Sequence, residues 1–172
     1  MKRRSRTCIV ASLVLAAAGA ARAAADEPPM VVLGAGATGI LHHNTDVRHT
    51  VALFSAEYRG SAELFRRVKP LVGGFATSDG QAYAHAGVYR DFDLAPHWIL
   101  TPRFAAGAYR QGSKDKLGGA LEFQSGVDLF YRLANRWRIG AALSHVSNAG
   151  IGDSNPGTET IALVVAIPLR QP

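Results

Sequence analysis

The feature that most restricts what this chain can fold into is a two-residue rhythm. In the stretch 119–133, Leu121, Phe123, Val127, Leu129 and Tyr131 alternate with Glu122, Gln124, Gly126, Asp128 and Arg132. In 136–147, Trp137, Ile139, Ala141 and Leu143 alternate with Arg138, Gly140, Ala142 and Ser144; in 158–170, Ile161, Leu163, Val165, Ile167 and Leu169 alternate with Thr160, Ala162, Ala166 and Arg170. Side chains two apart share one face of a strand, so each stretch reads as a β-strand with a large apolar face and a small or charged one. Eight such segments are expected, at 30–41, 49–59, 64–76, 81–91, 97–110, 119–133, 136–147 and 158–170. Between them lie clusters of turn-forming residues such as Asn44-Thr45-Asp46, Gly60-Ser61, Ser78-Asp79-Gly80, Ala134-Asn135 and the run Asn148 to Gly157. The longest apolar run past the N-terminal region, Ile161 to Leu169, has nine residues. That length spans a bilayer as a strand and is far short of the roughly 20 residues of a spanning helix.

The N-terminus sets the compartment. Lys2, Arg3, Arg4 and Arg6 precede an apolar run from Cys8 to Ala21, followed by the small-residue triplets Ala21-Arg22-Ala23 and Ala23-Ala24-Ala25. This is the pattern of a secretory signal peptide. Residues 1–23 are expected to be removed, with cleavage after Ala23 or as late as Ala25, leaving one domain over 24–172. The leader takes Lys2, Arg3, Arg4, Arg6 and Arg22 from nineteen basic residues and none of the thirteen acidic ones, leaving fourteen against thirteen. A chain so near neutrality has no cationic stripe for phosphates, which excludes nucleic acid as a partner. The single cysteine, Cys8, leaves with the leader, so the exported chain is held by its core or by a closed hydrogen-bond network rather than by disulfides.

Two architectures satisfy the rhythm. A soluble eight-stranded barrel of the lipocalin type puts the large apolar set inside, whereas a membrane barrel puts it outside. The leader, the missing disulfides, and Trp98 and Trp137, each just after a short turn where an interfacial girdle would sit, favour the second. The expected fold is therefore all-β, an eight-stranded antiparallel transmembrane β-barrel of the Gram-negative outer membrane. Its lumen would hold Glu57, Arg103, Glu122, Asp128, Arg132 and Arg138, whose mixed charges are expected to pair. With the N-terminus periplasmic, the turns at Gly60, Ala95 and Ala134 are the short periplasmic ones, and the loops at Gln111 and Ala149 point outward.

The residues that bear chemistry gather around the last of these loops. His145 and Ser147 are two apart and point the same way from the seventh segment, as a base and the hydroxyl it activates require. Glu159 opens the eighth segment and by its own alternation shares a face with Ile161 and Leu163. All three are thereby placed on the outer, oily wall, where an ionisable group is costly and points to function. Serine, histidine and a carboxylate within reach form an acyl-transfer constellation. The same spacing is also met by a histidine and a glutamate resting at headgroup depth.

The run His145-Val146-Ser147-Asn148, the following Asn155-Pro156-Gly157 and a glutamate fourteen residues after the histidine resemble the outer-membrane lipid A 3-O-deacylase family known as PagL. The resemblance implies an eight-stranded barrel that hydrolyses an ester-linked hydroxyacyl chain of lipid A, with its active site facing the outer leaflet. It implies Ser147 as nucleophile, His145 as general base, Glu159 as orienting acid and Asn148 as oxyanion residue, with no metal or cofactor. The partners are then lipopolysaccharide as substrate and the lipids of the outer membrane; a homodimer is compatible with the pattern, which does not fix oligomeric state. The C-terminus, Leu169-Arg170-Gln171-Pro172, departs from the final aromatic residue of many such barrels. A non-catalytic structural barrel or adhesin is the alternative, and the same site acting on phospholipid is a third reading. Asp153 stands as the next acid should Glu159 be misassigned.

Three further features read as structural. His42 and His43 are adjacent, so on a strand they would face opposite ways, which does not suit a metal. His85 fits a lumen or interface position. Gly34-Ala35-Gly36-Ala37-Thr38-Gly39 matches a nucleotide fingerprint in letters only, since no helix follows it, and small residues at a close backbone approach account for it better.

Overall fold

The alternating stretches form strands whose pairing closes on itself. The computed structural model describes residues 27–41, 49–114, 116–152 and 154–169. The expected leader, His42, His43, Asn44, Asp153 and Arg170-Gln171-Pro172 lie outside the described residues. The strands are β1 (Met30–Thr38), β2 (Val51–Arg59), β3 (Lys69–Thr77), β4 (Ala82–Tyr89), β5 (Phe92–Asp93), β6 (Trp98–Arg110), β7 (Leu121–Arg132), β8 (Arg138–Ser147) and β9 (Thr158–Pro168). Successive long strands pair antiparallel, and β4 pairs directly with β6 from Ala82↔Arg110 to Tyr89↔Arg103. The first and last strands pair from Met30↔Pro168 to Thr38↔Thr160. The result is a closed eight-stranded antiparallel barrel, with β5 a two-residue flap on the start of β6. Closure matters because lipid offers no partner to a free strand edge.

Seven of the eight expected segments coincide with strands to within a few residues. The third is corrected. It was expected from residue 64, but β3 begins at Lys69. Leu64 to Val68 instead fold back in a tight hairpin of their own, with Val68 N–H donating to Phe65 O at 2.7 Å and Leu64 N–H to Val68 O at 2.8 Å. The connection expected to be a short turn at Gly60 thus runs over 60–68. The physical reason lies in the strong local turn, which takes two apolar side chains, Leu64 and Phe65, out of the alternating pattern.

Of the two arrangements the alternation allows, the barrel adopts the inverted one. Leu33, Phe54, Val72, Phe104, Leu129, Ile139 and Leu143 are exposed on the outer wall, and Leu163 there is 76% accessible. Inside, three apolar clusters pack against a polar layer. The two larger comprise Met30, Val32, Ile99, Phe130, Ala142, Ala162, Val164 and Ala166, and Leu53, Phe75, Tyr83, Tyr109, Leu117 and Val146; Leu71, Tyr89 and Ala105 form the third. In the polar layer Arg59 Nε donates to Glu57 Oε1 at 2.7 Å and Arg59 Nη2 to Asp128 Oδ2. Arg103 Nε reaches Asp128 Oδ1 at 3.3 Å, and its Nη1 donates to Gln124 Oε1 at 2.8 Å. His85, in the lumen, lies 3.2 Å from Glu57 Oε2. Two carboxylates face two guanidiniums, so the layer is balanced, and it leaves a cavity of about 40 Å³ among these side chains. A second set closes the end that carries the chain termini. There Arg138 holds Asp91 at 3.0 Å and Glu27 at 3.2 Å, and Arg132 holds Glu27 at 2.8 Å and Asp93 at 3.1 Å.

The expectation of pairing thus holds for Glu57, Arg103, Asp128, Arg132 and Arg138, while Glu122 is a correction. It is fully enclosed, but no cation is paired with it among the described residues. It sits above the charged layer, beside Tyr83 and Gly119, out of reach of the arginines. The glycines of β1 behave as expected: a Cβ on Gly36 would lie 2.0 Å from Ile161 O, so the β1–β9 approach that closes the barrel demands glycine there.

Removing one partner of an enclosed ion pair strands the other charge in a poor dielectric. Asp128→Ala, which leaves Arg59 and Arg103 sharing one carboxylate, should lower unfolding stability by about 3–5 kcal/mol. The measurement is the urea midpoint in lipid vesicles, with unheated gel mobility reporting barrel closure; an unchanged midpoint would show that the network contributes nothing.

Candidate active site on the barrel wall

The barrel has two unlike ends. One carries Glu27, Leu169 and the connections 60–68, 90–97 and 133–137; the other carries the ends of β1, β3, β6 and β8 and the described parts of the loops that follow them. His145, Ser147 and Glu159 lie at the second end, where β8 runs out and β9 begins.

Register decides what these side chains meet. His145 pairs with Glu159 across β8 and β9, and with Ser125 across β7 and β8. Directly opposed residues on antiparallel strands bring their side chains together, and Glu159 Oε1 lies 3.3 Å from His145 Nδ1. Both are on the outer wall, the side chains 45% and 29% accessible. The bond at Nδ1 leaves Nε2 as the free nitrogen of the ring. Ser147, the last residue of β8, faces outward two residues on and opposes Phe123, which stacks on Phe104 with ring centroids 6.2 Å apart. The structure therefore joins His145 to Glu159 and sets Ser147 on the same face, while no hydrogen bond links the Ser147 hydroxyl to the ring. Leu143 and Ile161, cross-strand partners, continue the wall away from the loop as an apolar surface.

Asn148 follows the alternation into the lumen side and is 1% accessible. Its Nδ2 donates to Leu117 O at 3.1 Å and to Ser154 O at 2.7 Å, and its backbone N–H donates to Asn155 Oδ1 at 3.0 Å. Its Oδ1 accepts from Gly150 N–H at 2.9 Å. Asn148 is thus the knot that ties the 148–157 loop both to itself and to the 111–120 loop. A second tie runs through Asp79, whose carbonyl accepts from Ser113 N–H at 3.0 Å. Burial works against the Asp79 charge, but hydrogen bonds from Thr77 and Gln81 hold its carboxyl below the ordinary value.

The sequence did not reveal what Gly157 touches. It has φ of 67°, and a Cβ there would lie 2.7 Å from His145 Cε1 and 3.2 Å from Nε2. In the sequence Asn155-Pro156-Gly157 reads as a turn signal, which explains the backbone and not the contact. Asn155 is legible as part of the turn and of the family-like motif, but its bond to Asn148 N–H depends on how the loop folds back. Among the described residues no group of three or more His, Cys, Asp or Glu side chains is arranged to hold a metal ion.

Comparison with known proteins gives concordant findings. Residues 71–168 match the family model described as lipid A 3-O-deacylase (PagL). The structure is similar to the crystal structure of the outer membrane enzyme PagL, at TM-score 0.60 and 19% identity, covering 81% of this chain and 99% of that one. It is also similar to a de novo designed transmembrane β-barrel, at TM-score 0.55 and 10% identity, covering 84% of this chain and 98% of that one. Neisserial surface protein A gives TM-score 0.54 and 9% identity over the same shares, 84% and 98%. At such identities these likenesses speak to the fold. A search of curated proteins gave no match.

The contact between Gly157 and the ring generates a prediction. Gly157→Ala adds a methyl against the imidazole and about 1 kcal/mol of left-handed backbone strain, so the barrel should still fold while His145 and the 157 turn are pushed apart. A displacement of about 1 Å in a reacting group costs on the order of a hundred-fold in rate. Turnover of a lipid ester should therefore fall by about ten- to a hundred-fold, chiefly in kcat; wild-type turnover would mean that ring position does not limit the chemistry.

Proposed function

The chain belongs to the lipid A 3-O-deacylase (PagL) family, and on that premise we propose that it hydrolyses the 3-O-linked hydroxyacyl ester of lipid A through Ser147, His145 and Glu159. The observation that carries this reading is the His145–Glu159 pair on a wall whose exposed side chains are largely apolar and aromatic. An ionisable pair facing lipid is costly, and a purely structural barrel gains nothing from holding it there. No feature of the wall favours an adhesin.

In the proposed scheme Glu159 engages Nδ1 and orients the ring, so that Nε2 takes the Ser147 proton as Oγ attacks the acyl carbonyl carbon. The tetrahedral intermediate collapses with cleavage of the bond to the sugar oxygen, which leaves with the proton from His145. Water, deprotonated by the same ring, then attacks the acyl-serine, releasing the hydroxy fatty acid and restoring Ser147. The Ser147–His145 hydrogen bond belongs to the complex with substrate, as such bonds commonly tighten only there. Asn148 enters through its backbone N–H. Asn155 Oδ1, a neutral acceptor, holds that donor at 3.0 Å, and a developing oxyanion is the stronger competitor, since ionised acceptors bind about twice as strongly as neutral ones.

Leu143, Ile161, Phe123 and Phe104 supply an apolar wall along which an acyl chain can lie with its ester at Ser147. The substrate then arrives by lateral diffusion, without entering the lumen. The loop end faces outward in this scheme, with both termini on the periplasmic side.

The test is mass analysis of lipid A from cells producing matched outer-membrane levels of each variant. Ser147→Ala should lower release of the hydroxyacyl chain by more than about a thousand-fold, with the barrel intact. Glu159→Gln, which spares the nucleophile and base, should lose on the order of 10²–10⁴-fold and stay above Ser147→Ala. Identical spectra for wild type and Ser147→Ala would rule out the serine mechanism.

A further inference from the structure

The end of the barrel remote from His145 carries an unusual backbone choice. Among the described residues four that are not glycine have positive φ: Arg66 at 43°, Arg67 at 66°, Arg136 at 66° and Ala149 at 55°. Three are arginines, and all three lie in the connections 60–68 and 133–137. A Cβ is unfavourable in that region, and two consecutive residues of this kind in a tight hairpin turn are normally Asn-Gly. The chain places arginine where asparagine or glycine would relieve the strain, which implies a use for the guanidinium groups.

That use is not an ion pair within the barrel. At this end Arg132 and Arg138 already hold Glu27, Asp91 and Asp93, and Glu63 is the remaining carboxylate of these turns among the described residues. The Arg66 guanidinium lies over the Phe65 ring, 4.9 Å from its centroid, and Arg136 directly precedes Trp137. Leu64 and Phe65 are 62% and 64% accessible, and Leu94 and Trp137 on the neighbouring connections and Trp98 at the start of β6 are exposed. Trp98 packs edge-on against Tyr131 at 5.3 Å. Aromatic rings and exposed Leu beside arginines, just beyond the apolar wall of a membrane barrel, match the boundary where acyl chains meet headgroups.

We propose that this rim is a binding site for anionic glycerophospholipids, with Arg66, Arg67 and Arg136 engaging headgroup phosphates while Phe65 and Trp137 seat at the acyl boundary. The guanidinium fork matches a phosphate bidentately, which a lysine could not do. The rim stands apart from the proposed hydrolytic site, at the other end of the strands, so neither reading depends on the other.

Both tryptophans of the chain, Trp98 and Trp137, lie at this rim and report on it. The experiment reconstitutes the full barrel in phosphatidylcholine vesicles containing either brominated phosphatidylglycerol or brominated phosphatidylcholine at matched fractions, and compares quenching of tryptophan fluorescence. Wild type should favour the anionic lipid by about five-fold for each cation engaged. The variant Arg66→Asn, Arg67→Gly, Arg136→Gly removes the charges and suits the observed backbone, so unheated gel mobility should be kept while the lipid preference falls to near unity. Equal quenching of wild type by the two lipids, or an undiminished preference in the triple variant, would overturn the proposal.

Discussion

Everything else in this structure rests on the antiparallel pairing of β1 with β9, which brings Met30 to Pro168 and Thr38 to Thr160. A sheet of this length left open in lipid would present two edges of unsatisfied amides and carbonyls, each costly to leave unpaired. Pairing the first strand with the last removes both edges together. The contact is close enough that position 36 tolerates no side chain against Ile161 and Ala162. At the loop end it is reinforced by threonines, with the Thr38 hydroxyl 3.0 Å from those of Thr158 and Thr160. Thr158 and Thr160 flank Glu159, so the seam that closes the barrel also holds the backbone that carries the carboxylate.

Closure turns the usual arrangement inside out. With apolar side chains committed to lipid, the lumen must be filled by what remains, and part of that is charged. The chain meets this by balance: two carboxylates and two guanidiniums in the middle layer, and a second arginine–carboxylate set toward the termini. Buried apolar residues pack against the middle layer, and the low dielectric they provide strengthens its attractions and makes any unbalanced charge there expensive. A lumen filled in this way leaves no room for a lipid substrate, which is why the proposed chemistry on acyl chains is assigned to the outer wall.

The candidate site depends on a parity rule and a register. Outward-facing positions of β8 are odd-numbered, which puts His145 and Ser147 on the wall and Asn148 inside. Register places Glu159 opposite His145. The loop that follows is tied down from within by Asn148 and folds back so that Gly157 rests against the imidazole. Lumen and wall are therefore coupled at one point: a buried amide that knots two loops determines where a glycine meets the exposed ring.

Much of this was legible in the sequence. Alternation over 119–170 specified strands and their two faces, because these are set by local geometry alone; the leader, the missing disulfides and the placement of Trp98 and Trp137 turned the apolar face outward. The shared face of His145 and Ser147 and the outward direction of Glu159 follow from the same period. Other features were not local and could not be read there. The hairpin of Leu64 to Val68 overrode an apolar pattern that looked like a strand. Arg59 became the centre of the luminal network because closure brought Asp128 to it across the barrel, whereas Glu122, similar on paper, was left without a cation. The contact of Gly157 with His145, and the engagement of every donor hydrogen of Asn148, arise only when the 111–120 and 148–157 loops meet. Period and composition determined which residues face which way; only the closed ring of hydrogen bonds, which fixes register between strands distant in the chain, decided which of them touch.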